Sequence, residues 1–150
     1  MTQNNDFTRS VAAVVIKDDK VLLARHTYGA GKGRLIIPGG YILEGEMPEQ
    51  ALVREYLEET GVTVRPTRLI GVRFNTRDWY AVFAADYVSG TARSDGGENS
   101  EVVWMATDEA LTCPDVPDLS KKLIECAQSG RGLETLPYDG KNPPYVLYAK

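Results

Sequence analysis

The stretch from Leu35 to Val62 constrains the fold more than any other part of the chain. A short apolar run, Leu35-Ile-Ile, is stopped by Pro38-Gly39-Gly40, and a helix of about three turns then fits between Pro48 and Gly61. Glu46 and Glu49 suit the positive end of that helix dipole. Val53, Tyr56, Leu57 and Thr60 recur at i, i+3, i+4 and i+7, which predicts the stripe that faces the core. Glu55, Glu58 and Glu59 obey the same spacing, so they are expected on one face within a few ångströms of one another.

Like charges so placed oppose helix formation, by about a few tenths of a kcal/mol per pair on a wet surface and by more where burial is partial. Arg54 offsets only part of this, through its i+4 neighbour Glu58. One reading is a solvated acidic face. The other is a site for a hard divalent cation, since oxygen-only ligands at this spacing suit Mg²⁺ first and Mn²⁺ as its substitute. The Pro38-Gly39-Gly40 turn lies just upstream, where missing side chains let backbone come close to an ion or phosphate.

Charge narrows the function classes. Between Glu44 and Val62 six glutamates accompany one arginine, a local charge of −5 in a chain whose net charge is −4, so the remainder is close to neutral. Without a diffuse basic surface, duplex nucleic acid is not an expected partner. No apolar run approaches a membrane span, and the polar start carries no apolar signal segment, so no membrane partner and a cytoplasmic location are expected. Cys113 and Cys126 form no metal or redox pattern and are expected to be reduced.

With 150 residues and no linker or repeat, one domain is expected. Ser10 to Lys17 and Val21 to Arg25 read as strands joined by a tight turn at Asp18-Asp19-Lys20. Strands return over Val62 to Asn75, Trp79 to Val88 and Glu101 to Met105, and Thr107 to Leu111 and Asp118 to Gln128 read as short helices. That order gives a mixed α/β layout. The aromatic tail from Leu136 to Tyr148 is expected to lie extended against the body or against a partner.

Residues 40 to 62 read Gly40-x5-Glu46-x7-Arg54-Glu55-Tyr56-Leu57-Glu58-Glu59-Thr60-Gly61-Val62. This closely resembles the Nudix box, G-x5-E-x7-R-E-U-x-E-E-x-G-U, with Tyr56 standing where an aliphatic residue is usual. Ile37-Pro-Gly-Gly resembles the family's entry to the box, with Leu35 where many members carry Trp, and Glu98-x2-Glu101-x2-Trp104 resembles its late acidic loop and strand. The resemblance implies an α/β/α sandwich with a mixed sheet, acting as a Mg²⁺-dependent pyrophosphohydrolase on a nucleoside triphosphate or another nucleoside diphosphate linked to a group X. It further implies Glu55, Glu58, Glu59 and the Gly39 carbonyl as metal ligands, Arg54 as the group that orients a catalytic glutamate, and Glu46 as support for the loop-helix junction. The base that accepts a proton from water stays open among Glu58, Glu55 and the late-loop Glu98, with Glu101 behind them.

For the substrate, Arg25 beside His26 is a candidate phosphate or base contact, although His26 reads first as a solvated strand end. Lys32 and Arg34, in the Gly-rich loop before the turn, are candidates for phosphate. Trp79 and Tyr80 lie 17 and 18 residues beyond Val62, a spacing that resembles dinucleoside polyphosphate hydrolases, so Tyr80 is a candidate base contact. The proline that would resemble ADP-ribose hydrolases is absent. A nucleotide-sensing module without turnover is the alternative from another class. The family resemblance also implies a homodimer as the candidate assembly, with the tail as a candidate contact.

Overall fold

The middle of the sheet is set by a strand with almost no polar residue in its interior. The computed structural model describes residues 7–150; the polar start read above, residues 1–6, lies outside the described residues. β1 (Thr8–Lys17) buries every residue from Ser10 to Val15, which requires cover on both faces. Alternate side chains accordingly enter two cores. Val11, Ala13 and Val15 join Leu52, Tyr56 and Phe83 on one side, whereas Ala12 and Val14 join Val82, Leu123 and Ile124 on the other.

Asp18 and Asp19 both adopt left-handed backbone (φ 53° and 61°), which matches a two-residue hairpin turn into β2 (Lys20–His26). β3 (Leu35–Ile36) pairs with β2, and β4 (Gly39–Tyr41) pairs antiparallel with the first half of β1. After α1 (Pro48–Thr60) come β5 (Thr63–Phe74) and β6 (Asp78–Ser89), an antiparallel pair whose β6 runs parallel to β1. β7 (Asn99–Ala106) returns to pair antiparallel with β2. α2 (Thr107–Ala110) and α3 (Asp118–Gln128) follow, α3 buries Ser120, Leu123 and Ile124, and the result is the α/β/α sandwich with a mixed sheet that the sequence resemblance implied. No helix among the described residues is long and apolar enough to cross a membrane.

Two expectations are corrected. The buried face of α1 is Ala51, Leu52, Tyr56, Glu59 and Thr60, while Leu57 is 46% exposed. The helix is thus rolled by about one residue, because Leu52 and Tyr56 fill the gap beside Phe83 and carry Glu59 inward with them. The tail does not lie flat against the body along its length. It doubles back as β8 (Glu134–Thr135) and β9 (Tyr148–Ala149), which pair; Tyr148 packs on Phe83, and Tyr138 and Tyr145 at the tip pack on each other in solvent.

Gly61 ends α1 at φ 78°, with its N–H returned to the Leu57 carbonyl at 2.9 Å. A Cβ there would also approach the Arg93 side chain and the Thr91 carbonyl to 3.0 Å. Gly61→Ala is therefore expected to lower unfolding free energy by about 1–2 kcal/mol, measured by urea denaturation; an unchanged midpoint would show that the end of the helix relaxes freely.

Candidate active site

Glu59 is the most constrained charged residue of the chain. It is 4% exposed, and its Oε1 accepts a hydrogen bond from the Gly39 N–H at 3.1 Å. Burial pushes its carboxyl up to about 8; the Gly39 N–H opposes this, and negative charge on Glu98, Asp95 and Glu55 adds to it. Both glycines of the turn are required by close approach. A Cβ on Gly39 would strike the Val11 carbonyl of β1, and one on Gly40 would strike the Glu55 carboxylate.

Arg54 organises the opposite side of the helix. Its Nε and Nη2 donate to the two carboxylate oxygens of Glu46 at 2.7 and 2.9 Å, a two-point fork. Nη1 donates to Glu55 at 2.8 Å and to Glu58 at 3.3 Å, and Nη2 also donates to the Tyr41 carbonyl at 3.1 Å. The Arg54 guanidinium and the Leu43 N–H hold the Glu46 carboxyl down at about 2. Burial raises the Glu55 carboxyl above its ordinary value, and Arg54 opposes that shift. One arginine thus joins the loop before the helix, the strand β4 and two of the three glutamates.

The three glutamates differ in setting. Glu59 is buried, the Glu55 side chain is 16% exposed, and the Glu58 side chain is 62% exposed. Among the described residues no three acidic, histidine or cysteine side chains form a ready ion cage. Arg54 draws Glu55 and Glu58 toward itself while Glu59 turns to Gly39, so the shared helix face does not make the three carboxylates converge.

A cleft of about 210 Å³ opens above Glu59 and takes in Gly39, Gly40, Glu55, Glu98 and Tyr80. His26 also lines it, with its ring stacked on Tyr28 at 6.1 Å, rather than standing as a solvated strand end. Burial lowers the His26 pKa, opposed by the Glu98 charge. Ser10, Tyr28 and Tyr41 are cleft residues that the sequence reading did not mark. Ser10 is a polar residue inside an apolar run, Tyr28 opens the loop just past β2, and Tyr41 ends β4 directly after the two glycines, which are the signals available for them.

The candidate phosphate contacts are placed elsewhere. Arg25 donates to Glu101 at 2.7 Å and to Asp115 at 3.0 Å, so its charge ties β2 to β7 and to the segment before α3. Arg34 donates to the Asp115 carbonyl at 3.1 Å, and Lys32 stands in solvent. None of the three lines the cleft, and Glu101, held by Arg25, does not either. Tyr80 does, with the Arg73 guanidinium 5.4 Å from its ring centre. Trp79, on the other face of the strand, is 51% exposed and packs edge-on against Phe7 and Phe74.

The Glu59 shift sets a pH dependence whose sign is fixed. Below pH 4.5 its carboxyl is protonated folded and unfolded; between 4.5 and about 8 it is protonated only in the fold, so stability falls as pH rises. His26, whose pKa is lowered in the fold, works in the opposite direction below its ordinary 6.5, which leaves the interval from 6.5 to 8 to Glu59. Metal-free protein is expected to lose on the order of 2 kcal/mol across that interval. Thermal melts should show this fall in the wild type and not in Glu59→Gln; an equal fall in both would remove Glu59 as its source.

Comparison with known proteins gives one result at three levels. The NUDIX domain family matches residues 6–125. A MutT-like protein of Streptomyces ambofaciens is 33% identical over 141 residues, covering 89% of this chain and 84% of that protein. The NAD-capped RNA hydrolase NudC of Photorhabdus laumondii is 31% identical over 115 residues, covering 73% of this chain, which spans only 43% of that protein. Among solved structures, a NUDIX hydrolase from Nitrosomonas europaea superposes with a TM-score of 0.73 at 28% identity, covering 84% of this chain and 91% of that one.

Proposed function

The chain belongs to the Nudix hydrolase family, and on that premise we propose that it is a Mg²⁺-dependent pyrophosphohydrolase cutting a nucleoside diphosphate linked to a further group by water attack at phosphorus. The observation that carries this reading is the charge of the cleft. Glu55, Glu59 and Glu98 line it, and none of the described residues lining it is Lys or Arg. A diphosphate entering alone would meet only like charge, so it must arrive with a cation.

Members of this family generally require a divalent metal. The residues of the cleft fit one: their donors are oxygens, Glu59 is buried without a cationic partner, and a side chain at position 40 would fill the space beside the Glu55 carboxylate. We assign its ligands to Glu55, Glu59 and the Gly39 carbonyl of the cleft, together with Glu58, which lies outside the lining and would have to leave Arg54 to join them. When bound, the ion neutralises the diphosphate, polarises the phosphorus and lowers the pKa of a water.

The chain's own residues divide the remaining work. Arg54 orients Glu55 through a 2.8 Å hydrogen bond and shares Glu58 at 3.3 Å. Glu55 and Glu58 are therefore both engaged, whereas the Glu98 carboxylate lines the cleft and accepts no hydrogen bond from any described residue. We take Glu98 as the group that receives the proton of the attacking water. Tyr80 and the stacked His26 and Tyr28 are the cleft's flat surfaces for a nucleobase. The absence of Lys and Arg from the described lining supports a substrate with two bridged phosphates over the longer bridge of a dinucleoside polyphosphate.

Purified protein with Mg²⁺ is expected to turn over at least one member of a panel holding nucleoside triphosphates, NAD and nucleotide sugars, and a chelator should abolish it. In H₂¹⁸O the label should appear on a phosphorus of the product. Glu98→Gln should lower kcat by about 10²-fold or more at little change in KM, as should Glu58→Gln. No turnover of any substrate would overturn the assignment, and tight nucleotide binding without turnover would replace it with a sensing module.

A further inference from the structure

Glu98 follows Asp95-Gly96-Gly97, a stretch with few side chains to pack, and still its carboxylate lines the cleft. The reason lies on either side of it. The Asn99 side chain is wholly buried, and its Nδ2 donates to the Glu59 carbonyl at 2.9 Å. That carbonyl is one of the last four of α1, which have no partner within the helix. The Arg93 N–H takes the Thr60 carbonyl at 2.9 Å, so the late loop caps the glutamate helix at two points.

From Asn99 the bonding runs back through the loop. Its Oδ1 accepts from the Asp95 N–H at 3.2 Å, and its own N–H donates to Asp95 Oδ1 at 3.1 Å. Gly97 N–H donates to the same oxygen at 2.9 Å, and Ser94 Oγ donates to the Asn99 carbonyl at 2.9 Å. On the far side, the Thr27 N–H donates to the Glu98 carbonyl at 3.1 Å. Thr27 Oγ1 is 2.7 Å from the Gly97 carbonyl and 3.1 Å from that of Glu98. The register between β2 and β7 shifts between Arg25 and His26, opposite Asn99, which lets the chain leave the ladder toward the cleft at that point.

We propose that Asn99 and Thr27 are positioning residues that grip the backbone on both sides of Glu98 and hold its carboxylate over the cleft, Asn99 doing so from the last turn of the glutamate helix. This rests on the reading of Glu98 as the proton acceptor. A solvent-exposed loop with two adjacent glycines samples many conformations. Two anchors, one on the helix that carries Glu55 and Glu59 and one at Thr27, just past the end of β2, restrict Glu98 to the side of the cleft facing those carboxylates.

The test is a pair of double-substitution cycles, Asn99→Ala with Glu98→Gln and Thr27→Val with Glu98→Gln, followed by two readouts. The first is kcat on whichever member of the nucleotide panel the wild type turns over. Each single substitution is expected to lower kcat by about tenfold at little change in KM, and neither should lower it further once Glu98 is Gln. The second uses the only histidine of the chain. The NMR titration of His26 should shift down on loss of the nearby Glu98 charge, which opposes the lowering by burial. Asn99→Ala and Thr27→Val should produce part of the same downward shift, and that part should vanish in the Glu98→Gln background. Losses that multiply, or His26 shifts that persist undiminished in that background, would overturn the proposal and leave Asn99 as a packing residue. If the wild type cuts nothing, the catalytic reading falls and the His26 cycle alone decides whether the grip exists. Thr27→Val alters a half-buried hydroxyl outside both cores and keeps the test open if Asn99→Ala fails to fold.

Discussion

A buried carboxylate without a cation beside it is the constraint on which the rest of this structure turns. Glu59 cannot swing to solvent, because Tyr56 and Leu52 of the same helix are packed beneath the sheet. It cannot take Arg54, whose guanidinium is already forked onto Glu46. It cannot push Gly39 away, because β4 lies so close to β1 that even a methyl group at Gly39 would strike the Val11 carbonyl. An isolated ionised carboxylate in such a place costs several kcal/mol, far more than one N–H returns, about 1.5–3 kcal/mol for a bond to a charged group. The group therefore holds a proton near neutral pH or receives a cation.

The surrounding elements share that purpose. Pro38-Gly39-Gly40 brings bare backbone to the carboxylates, Arg54 fixes Glu55 and reaches Glu58, and the late loop closes over the end of the helix. The cleft is thus built from segments far apart in the chain: β1, the β2 end, β3 and β4, the helix, β6 and the loop before β7. Their mutual placement depends on the double-sided burial of β1, since a strand covered on both faces fixes the height of both layers at once.

The sequence made local features legible and left long-range ones hidden. The Asp18-Asp19 turn, the Pro48 start and the Gly61 stop were readable because each depends on backbone preferences within a few residues. The family resemblance supplied the layering. The roll of α1 was missed because Val53 and Leu57 are as apolar as Ala51 and Leu52, and only the shape of the gap beside Phe83 chooses between the stripes and carries Glu59 inward. Arg25 and Arg34 read as phosphate contacts because their partner, Asp115 with its backbone, lies some eighty to ninety residues away, beyond any local pattern. Asn99 carried no signal at all, since its role depends on the Glu59 carbonyl forty residues earlier.

The central claim, that Glu59 holds a proton in trade for a cation, is tested most directly by counting protons as the metal binds. Calorimetry of Mn²⁺ or Mg²⁺ binding at pH 7 in buffers of different ionisation enthalpy gives that count. With the Glu59 carboxyl at about 8 in the metal-free protein, close to one proton should leave per ion bound, and Glu59→Gln should release about none. A wild type that binds the ion without releasing protons, or a Glu59→Gln variant that releases as many, would contradict the account.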